Sequence, residues 1–304
     1  MATSRTKHIV SGSVRMRRVL TPYLWVLPAV AIYVVFRLYP LLYGLYLSFF
    51  EWDGVNPMKY IALKNFQEIF TQDPLFWQAM RHNVVYALGT VIGKNALAIV
   101  VAVALNQKLR GIAVFRTILF TPVIMSFVVV GLLWGWVFNY QFGLLNGLLR
   151  GVGLETLVQD WIGDPNLALF SVMGVDVWKW FGFHMVIYLA ALQGISHEYY
   201  EAARIDGAST WDSFRRITLP LLMPVMLINV TLSLQGAFNV FDLVYVVTEG
   251  GPFNSTLVVA IHMYLRGFKF YRMGYASAMA YVLFAIVAVS TVIQMRFMRK
   301  DVYE

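Results

Sequence analysis

Six stretches of the chain stay apolar over about 20 residues or more, the length a helix needs to cross the hydrocarbon core of a bilayer. They run over residues 23–49, 83–105, 117–138, 167–192, 221–241 and 275–295. Backbone polar groups at membrane depth have to be satisfied within the segment, so each stretch is predicted to be a spanning helix. The first is the most interrupted, because Arg37 and Pro40 fall inside it. A long arginine can snorkel to an interface, and proline is tolerated in membrane helices. The longest stretches between spans, 50–82, 139–166 and 242–274, are too short to fold as catalytic domains. The chain therefore divides into a basic tail (1–21), a six-helix membrane domain (22–300) and a short C-terminal tail (301–304).

Composition sharpens this picture. Of 304 residues, 59% are hydrophobic and only 13% charged, with a mean hydropathy of +0.65. Soluble domains carry roughly a quarter charged residues, so the composition argues against a soluble enzyme. The absence of cysteine removes disulfides, thiolate zinc sites, iron–sulfur clusters and cysteine nucleophiles together.

The net charge of +8 would suit a nucleic-acid binder were it not so unevenly placed. On one side lie Arg5, Lys7, Arg15, Arg17 and Arg18, then Lys108, Arg110 and Arg116, then Arg204, Arg215 and Arg216, and finally Arg296, Arg299 and Lys300. These fourteen face seven in the alternate loops: Lys59, Lys64, Arg81, Arg150, Arg266, Lys269 and Arg272. Short loops rich in Lys and Arg mark the cytoplasmic side, so both termini are expected there. The basic excess is thus a topology signal, and no nucleic-acid partner is implied. The first apolar stretch runs into Arg37-Leu38-Tyr39-Pro40 with no small-residue cleavage site, and is read as a retained span.

No catalytic motif emerges. Gly89-Thr90-Val91-Ile92-Gly93-Lys94-Asn95 imitates a phosphate-binding loop but has one residue too few between its glycines and lies inside a span. Gly89 with Gly93, and Gly131 with Gly135, fit small-residue packing faces better.

The stretch before the fifth span is different. From Ser196 to Pro220 it reads as two short helices with punctuation. Ser196 caps the first, Glu198 favours its first turn, and Gly207 supplies a left-handed exit after Asp206. Ser209 with Asp212 three residues on forms a capping box, and Pro220 is expected to end the second helix where the span begins. Small residues at the bend (Ala202, Ala203, Gly207, Ala208) allow another surface to approach closely. An ordinary interhelical loop is the plain alternative.

Polar residues inside spans usually face a bundle interior or a water-filled cavity. Gln235, Phe238, Asn239 and Asp242 are spaced i, i+3, i+4 and i+7, so they share one face of a continuous helix. An aromatic ring among amides and a carboxyl suits a sugar, although inter-helix bonding explains such residues as well. On the fourth span Asp176, Trp180 and Phe183 share a face, and Asp176 and Lys179 are placed to neutralise each other. Lys94 either snorkels or faces the cavity.

The run Glu201-Ala202-Ala203, Asp206-Gly207-Ala208, Phe214, Ile217 and Leu219-Pro220 resembles the EAA loop of permease subunits in binding-protein-dependent ABC importers. Thr248-Glu249-Gly250-Gly251-Pro252 and Met273-Gly274-Tyr275-Ala276-Ser277-Ala278 are similar to segments of the sugar branch typified by the maltose permeases. The resemblance implies an all-α integral membrane protein of the type I ABC importer permease fold, in a bacterial or archaeal inner membrane. It implies a non-catalytic subunit that works with a second related permease, two ATPase subunits and an extracytoplasmic sugar-binding protein. ATP and Mg²⁺ would belong to the ATPases, with no cofactor in this chain. Glu201, Ala202, Ala203, Asp206, Gly207, Ala208, Phe214, Ile217, Leu219 and Pro220 would form the coupling helix and its continuation, docking on an ATPase. Trp180, Phe183, Gln235, Phe238, Asn239 and Asp242 would lie near bound sugar, with Trp180 standing where the maltose permease has a glycine. A glycerol-phosphate-type importer is the alternative within the family. Outside it stands a gradient-driven carrier using Lys94, Asp176 and Lys179 as a relay.

Overall fold

The computed structural model describes the backbone of residues 12–107 and 111–303, and the side chains of 21–107 and 111–296. Most of the basic tail, Lys108, Arg110 and the charges of the C-terminal tail therefore lie outside the described side chains. Helix α1 (Gly12–Tyr33) passes through a π-turn at 34–38 into α2 (Tyr39–Leu47), which places Pro40 in the first turn of α2, where a missing N–H costs little. A hairpin follows, β1 (Phe50–Glu51) pairing antiparallel with β2 (Lys59–Tyr60), Phe50 opposite Tyr60. In its turn the Asp53 carboxylate accepts the N–H groups of Val55 and Asn56, which hold its pKa down at about 2.

After α3 (Lys64–Thr71) comes α4 (Pro74–Leu105), capped by Asp73, whose carboxylate accepts the Phe76 N–H at 3.0 Å. The expected third span is two helices, α5 (Ile112–Ile124) and α6 (Phe127–Val137), meeting at 101°. Pro122 weakens the end of α5, and Ser126 starts α6 afresh by accepting the Val128 N–H. Helix α7 (Leu144–Gly151) lies outside the spans, and α8 (Ala168–Gln193) returns. Then come α9 (His197–Ile205), α10 (Thr210–Ser213), a π-turn at 214–218 and α11 (Leu219–Phe238). The chain closes with α12 (Asp242–Thr248), α13 (Val259–Tyr264) and α14 (Met273–Tyr303). Among the described residues five helices are long and apolar enough to span, and the bent pair makes six.

Two expectations about the fifth span are corrected. Pro220 does not end a helix: residues 210–238 are continuous, because the π-turn lets the Leu219 N–H reach back to the Phe214 carbonyl and sets Pro220 in the first turn of α11. At the other end the helix stops at Phe238 and not at 241. The buried Asn83 of α4 donates to the Phe238 carbonyl (3.1 Å) and accepts the Val259 N–H (2.8 Å), clamping the end of α11 against the start of α13.

The centre of the molecule is α4 packed on α8, with α11 across both. A Cβ on Gly93 would stand 2.8 Å from Val177, and one on Gly182 2.2 Å from the Leu119 carbonyl oxygen. Gly131 packs closely on Val246, whereas Gly135 faces open space, so only part of the small-residue pattern marks packing. The first span is the exception to this core. None of its apolar window is buried within the chain, against 56% for α8.

Candidate functional site

A cavity of about 350 Å³ opens where α8, α11 and α12 converge. Trp180, Phe183, Asn239 and Asp242 line it, together with Lys94, Asp176, His184, Ser233, Phe127 and Phe241. Two residues of the expected set do not. Phe238 is 5% exposed and belongs to the hydrophobic core, and Gln235 is exposed away from the cavity wall. The expected single face is broken because α11 ends at Phe238. Asn239 caps that end, its Nδ2 donating to the Gln235 carbonyl at 2.9 Å, and Asp242 opens α12.

The charges pair differently from the spacing on α8. Lys94 Nζ lies 2.6 Å from Asp176 Oδ2, with both side chains under a tenth exposed. Lys179, expected to be the partner of Asp176, donates instead to the carbonyls of Pro122 (3.1 Å), Val123 (3.2 Å) and Met125 (2.6 Å). The broken end of α5 turns carbonyls toward α8, and an ammonium with three donors matches them. Its Nζ also sits 4.9 Å from the Phe127 ring centroid and 5.3 Å from that of Trp180. Lys94 thus faces the cavity as half of an ion pair.

Beside the pair runs a buried polar chain that sequence reasoning missed. Tyr188 donates to Asn95 Oδ1 (2.6 Å), and Asn95 Nδ2 donates to Ser233 Oγ (3.1 Å). Ser233 meets His184 Nε2 at 3.1 Å, and His184 Nδ1 meets Asn229 Oδ1 at 2.9 Å. With its proton on Nδ1, a neutral His184 is satisfied at both nitrogens. The signal was present as four-residue spacings, His184 to Tyr188 and Asn229 to Ser233, which place polar atoms on one helical face.

At the far end of α11 the stretch 196–220 forms a capped hairpin. Ser196 accepts the Glu198 N–H at 3.3 Å. Gly207 takes φ +79°, the Ala208 N–H bonds the Ala203 carbonyl (2.9 Å) and the Gly207 N–H bonds that of Arg204 (3.1 Å), a Schellman ending. Ser209 and Asp212 make the expected capping box. Tyr200 and Thr218 hydroxyls, 2.9 Å apart, tie α9 to the π-turn. Glu201, Ala202, Asp206, Gly207 and Pro220 are exposed, while Ala203, Ala208, Phe214, Ile217 and Leu219 are half-buried beneath them. Ile205 is 87% and Trp211 67% exposed on the same knob, far more apolar surface than an isolated hairpin should show.

The family profile described as "Binding-protein-dependent transport system inner membrane component" matches residues 94–300. The probable ABC transporter permease protein YurN of Bacillus subtilis (strain 168) is 37% identical over 283 residues, covering 92% of this chain and 96% of the relative. The lactose transport system permease protein LacF of Rhizobium radiobacter is also 37% identical, over 276 residues, 90% of this chain and 92% of LacF. In the crystal structure of a bacterial alginate ABC transporter in complex with an alginate pentasaccharide-bound periplasmic protein, one chain superposes with a TM-score of 0.82 at 22% identity, covering 97% of this chain and 98% of that one. With the profile spanning both hairpin and cavity, the chain belongs to the family of inner-membrane permease components of binding-protein-dependent ABC transport systems.

Proposed function

We propose that the chain is one of two permease subunits of an ATP-driven importer, and that it moves a sugar inward by alternating access. The observation that carries this is the unbroken helix 210–238, which joins the exposed hairpin directly to the cavity wall. The hairpin, with Ile205 and Trp211 outermost, docks on a separate ATPase subunit that holds ATP and Mg²⁺. The excess of Lys and Arg on that side supports a cytoplasmic position for it and for both termini. Trp180 and Phe183 offer rings to the C–H faces of a sugar, while Asn239 and Asp242 take its hydroxyls. Phe238 serves packing, and Gln235 stays off the cavity wall. The lactose permease relative supports the substrate class, and the importer of like fold, solved with a periplasmic protein, supports a binding-protein partner on the outside.

Gly207→Pro tests the coupling role, since proline cannot take a positive φ. In the assembled transporter the variant should retain ATP hydrolysis but lose uptake by tenfold or more, on the order of 1.4 kcal/mol of coupling. Normal uptake in the variant would overturn the role of the hairpin. Full-speed transport by the purified chain alone, driven by an ion gradient, would overturn the importer reading itself.

A further inference from the structure

We propose that Lys94 and Asp176 set the charge preference of the cavity, making it a site for uncharged sugars and closing it to anionic solutes such as uronates and sugar phosphates. This rests on reading the cavity as the solute path, and it decides against a glycerol-phosphate-type substrate.

Among the described residues that line the cavity, the ionisable carboxylates and amines are Lys94, Asp176 and Asp242. Lys94 alone would attract an anion, but its ammonium already lies 2.6 Å from the Asp176 carboxylate, with both groups almost wholly buried. Neither leaves the other without exposing an unpaired charge, which is strongly unfavourable at this depth. His184 fits the network in its neutral form: Ser233 Oγ, which accepts from Asn95, has its own hydrogen to give to Nε2, while Nδ1 donates to Asn229. Lys179 keeps its charge but does not line the cavity: its ammonium packs against the Phe127 and Trp180 rings and turns its donors to three carbonyls at the negative end of α5, whose partial charges offset it. What remains is Asp242, exposed at the wall and without an ion-pair partner among the described residues. The groups that line the cavity therefore carry a net negative charge. An anion entering would meet Asp242 and find Lys94, the cation on the described lining, already paired, whereas hydroxyls bond to carboxylate and amide alike. Discrimination by an uncompensated like charge is a common route to specificity.

The chain has no cysteine, so Asn239→Cys places its one thiol on the cavity wall. In vesicles holding the assembled transporter, its modification rates are measured with a cationic trimethylammonium-ethyl and an anionic sulfonatoethyl methanethiosulfonate. Rates are normalised to a free thiol, and labelling of the complex lacking the substitution is subtracted. The cationic reagent should be favoured by roughly tenfold, the effect of one nearby charge in a medium of intermediate dielectric. Adding Asp176→Asn, a near-isosteric change that frees Lys94, should lower the ratio by a similar factor, and Lys94→Met should raise it. Preference for the anionic reagent in Asn239→Cys alone, a ratio moved by neither second change, or a thiol inert to both reagents would each overturn the proposal. Because no transport is measured, a transporter that couples ATP hydrolysis to uptake normally and yet has an anion-favouring cavity would sink this inference while leaving the function standing.

Discussion

Asp73 shows how one side chain can hold three elements. Beyond capping α4, its Oδ2 accepts from His262 Nε2 of α13 (2.8 Å) and from the Tyr275 hydroxyl of α14 (2.7 Å). Burial alone raises the Asp73 carboxyl, yet the hydrogen bonds from His262, Tyr275 and the Phe76 N–H outweigh it and hold the carboxyl below its ordinary range. Burial, helped by the nearby Arg266 charge, lowers the His262 pKa against the lift from the adjoining carboxylate. Both shifts act in one direction. A histidine held neutral in the fold binds fewer protons than in the unfolded chain, so stability falls as pH drops below about 6.5, and the carboxylate adds a further loss below about 4. Thermal unfolding of the solubilised protein should show a declining midpoint between about pH 7 and 5, and His262→Gln, which keeps a donor toward Asp73 but does not titrate, should flatten that decline. An unchanged slope in the variant would place the pH sensitivity elsewhere. None of this triad was legible in the sequence, because Asp73 lies 189 residues from His262 and 202 from Tyr275 and nothing local couples them. The pairing of Lys94 with Asp176 was hidden for the same reason, while the neighbouring Lys179 offered a false local partner.

Elements were legible where their causes are local. The hairpin at 196–220 was readable in detail because caps, a left-handed glycine and a capping box all act within a few residues. The bend between α5 and α6 was not: Pro122 and Ser126 stand in it, but proline is tolerated within spans and the lysine that holds the bent carbonyls comes from α8. The end of α11 depends likewise on Asn83, from a distant helix. Close helix contact yields a sharper expectation. On α8, Gly182 meets the backbone of α5 and has no room for a Cβ, whereas Gly174 faces open space. Gly182→Ala should force α5 and α8 apart and cost about 1–3 kcal/mol in thermal or denaturant unfolding. Gly174→Ala, on the same helix, should be neutral or slightly stabilising. Equal effects at the two positions would show that the α5–α8 contact is not tightly packed.

At the scale of the whole molecule, the fold is a packed body with one helix standing off it. Trp25 is 81% and Phe36 72% exposed on the first span, and Arg37 makes no ion pair among the described residues. Lipid would satisfy the apolar residues but not the guanidinium, for which exposure at depth costs on the order of 3 kcal/mol. The second permease subunit proposed above would cover both needs. A photo-crosslinking residue replacing Trp25 should couple this chain to that partner in native membranes, and adducts with lipid alone would show the span to be an independent anchor. The continuous helix from hairpin to cavity has a consequence of its own. Its 29 residues make a rod of about 43 Å, and a rod transmits displacement in both directions. Thermodynamic reciprocity then requires that whatever occupies one end alter affinity at the other by the same factor. Filling the pocket should therefore tighten or loosen the grip on the hairpin, so that the cargo reports its own arrival to the engine.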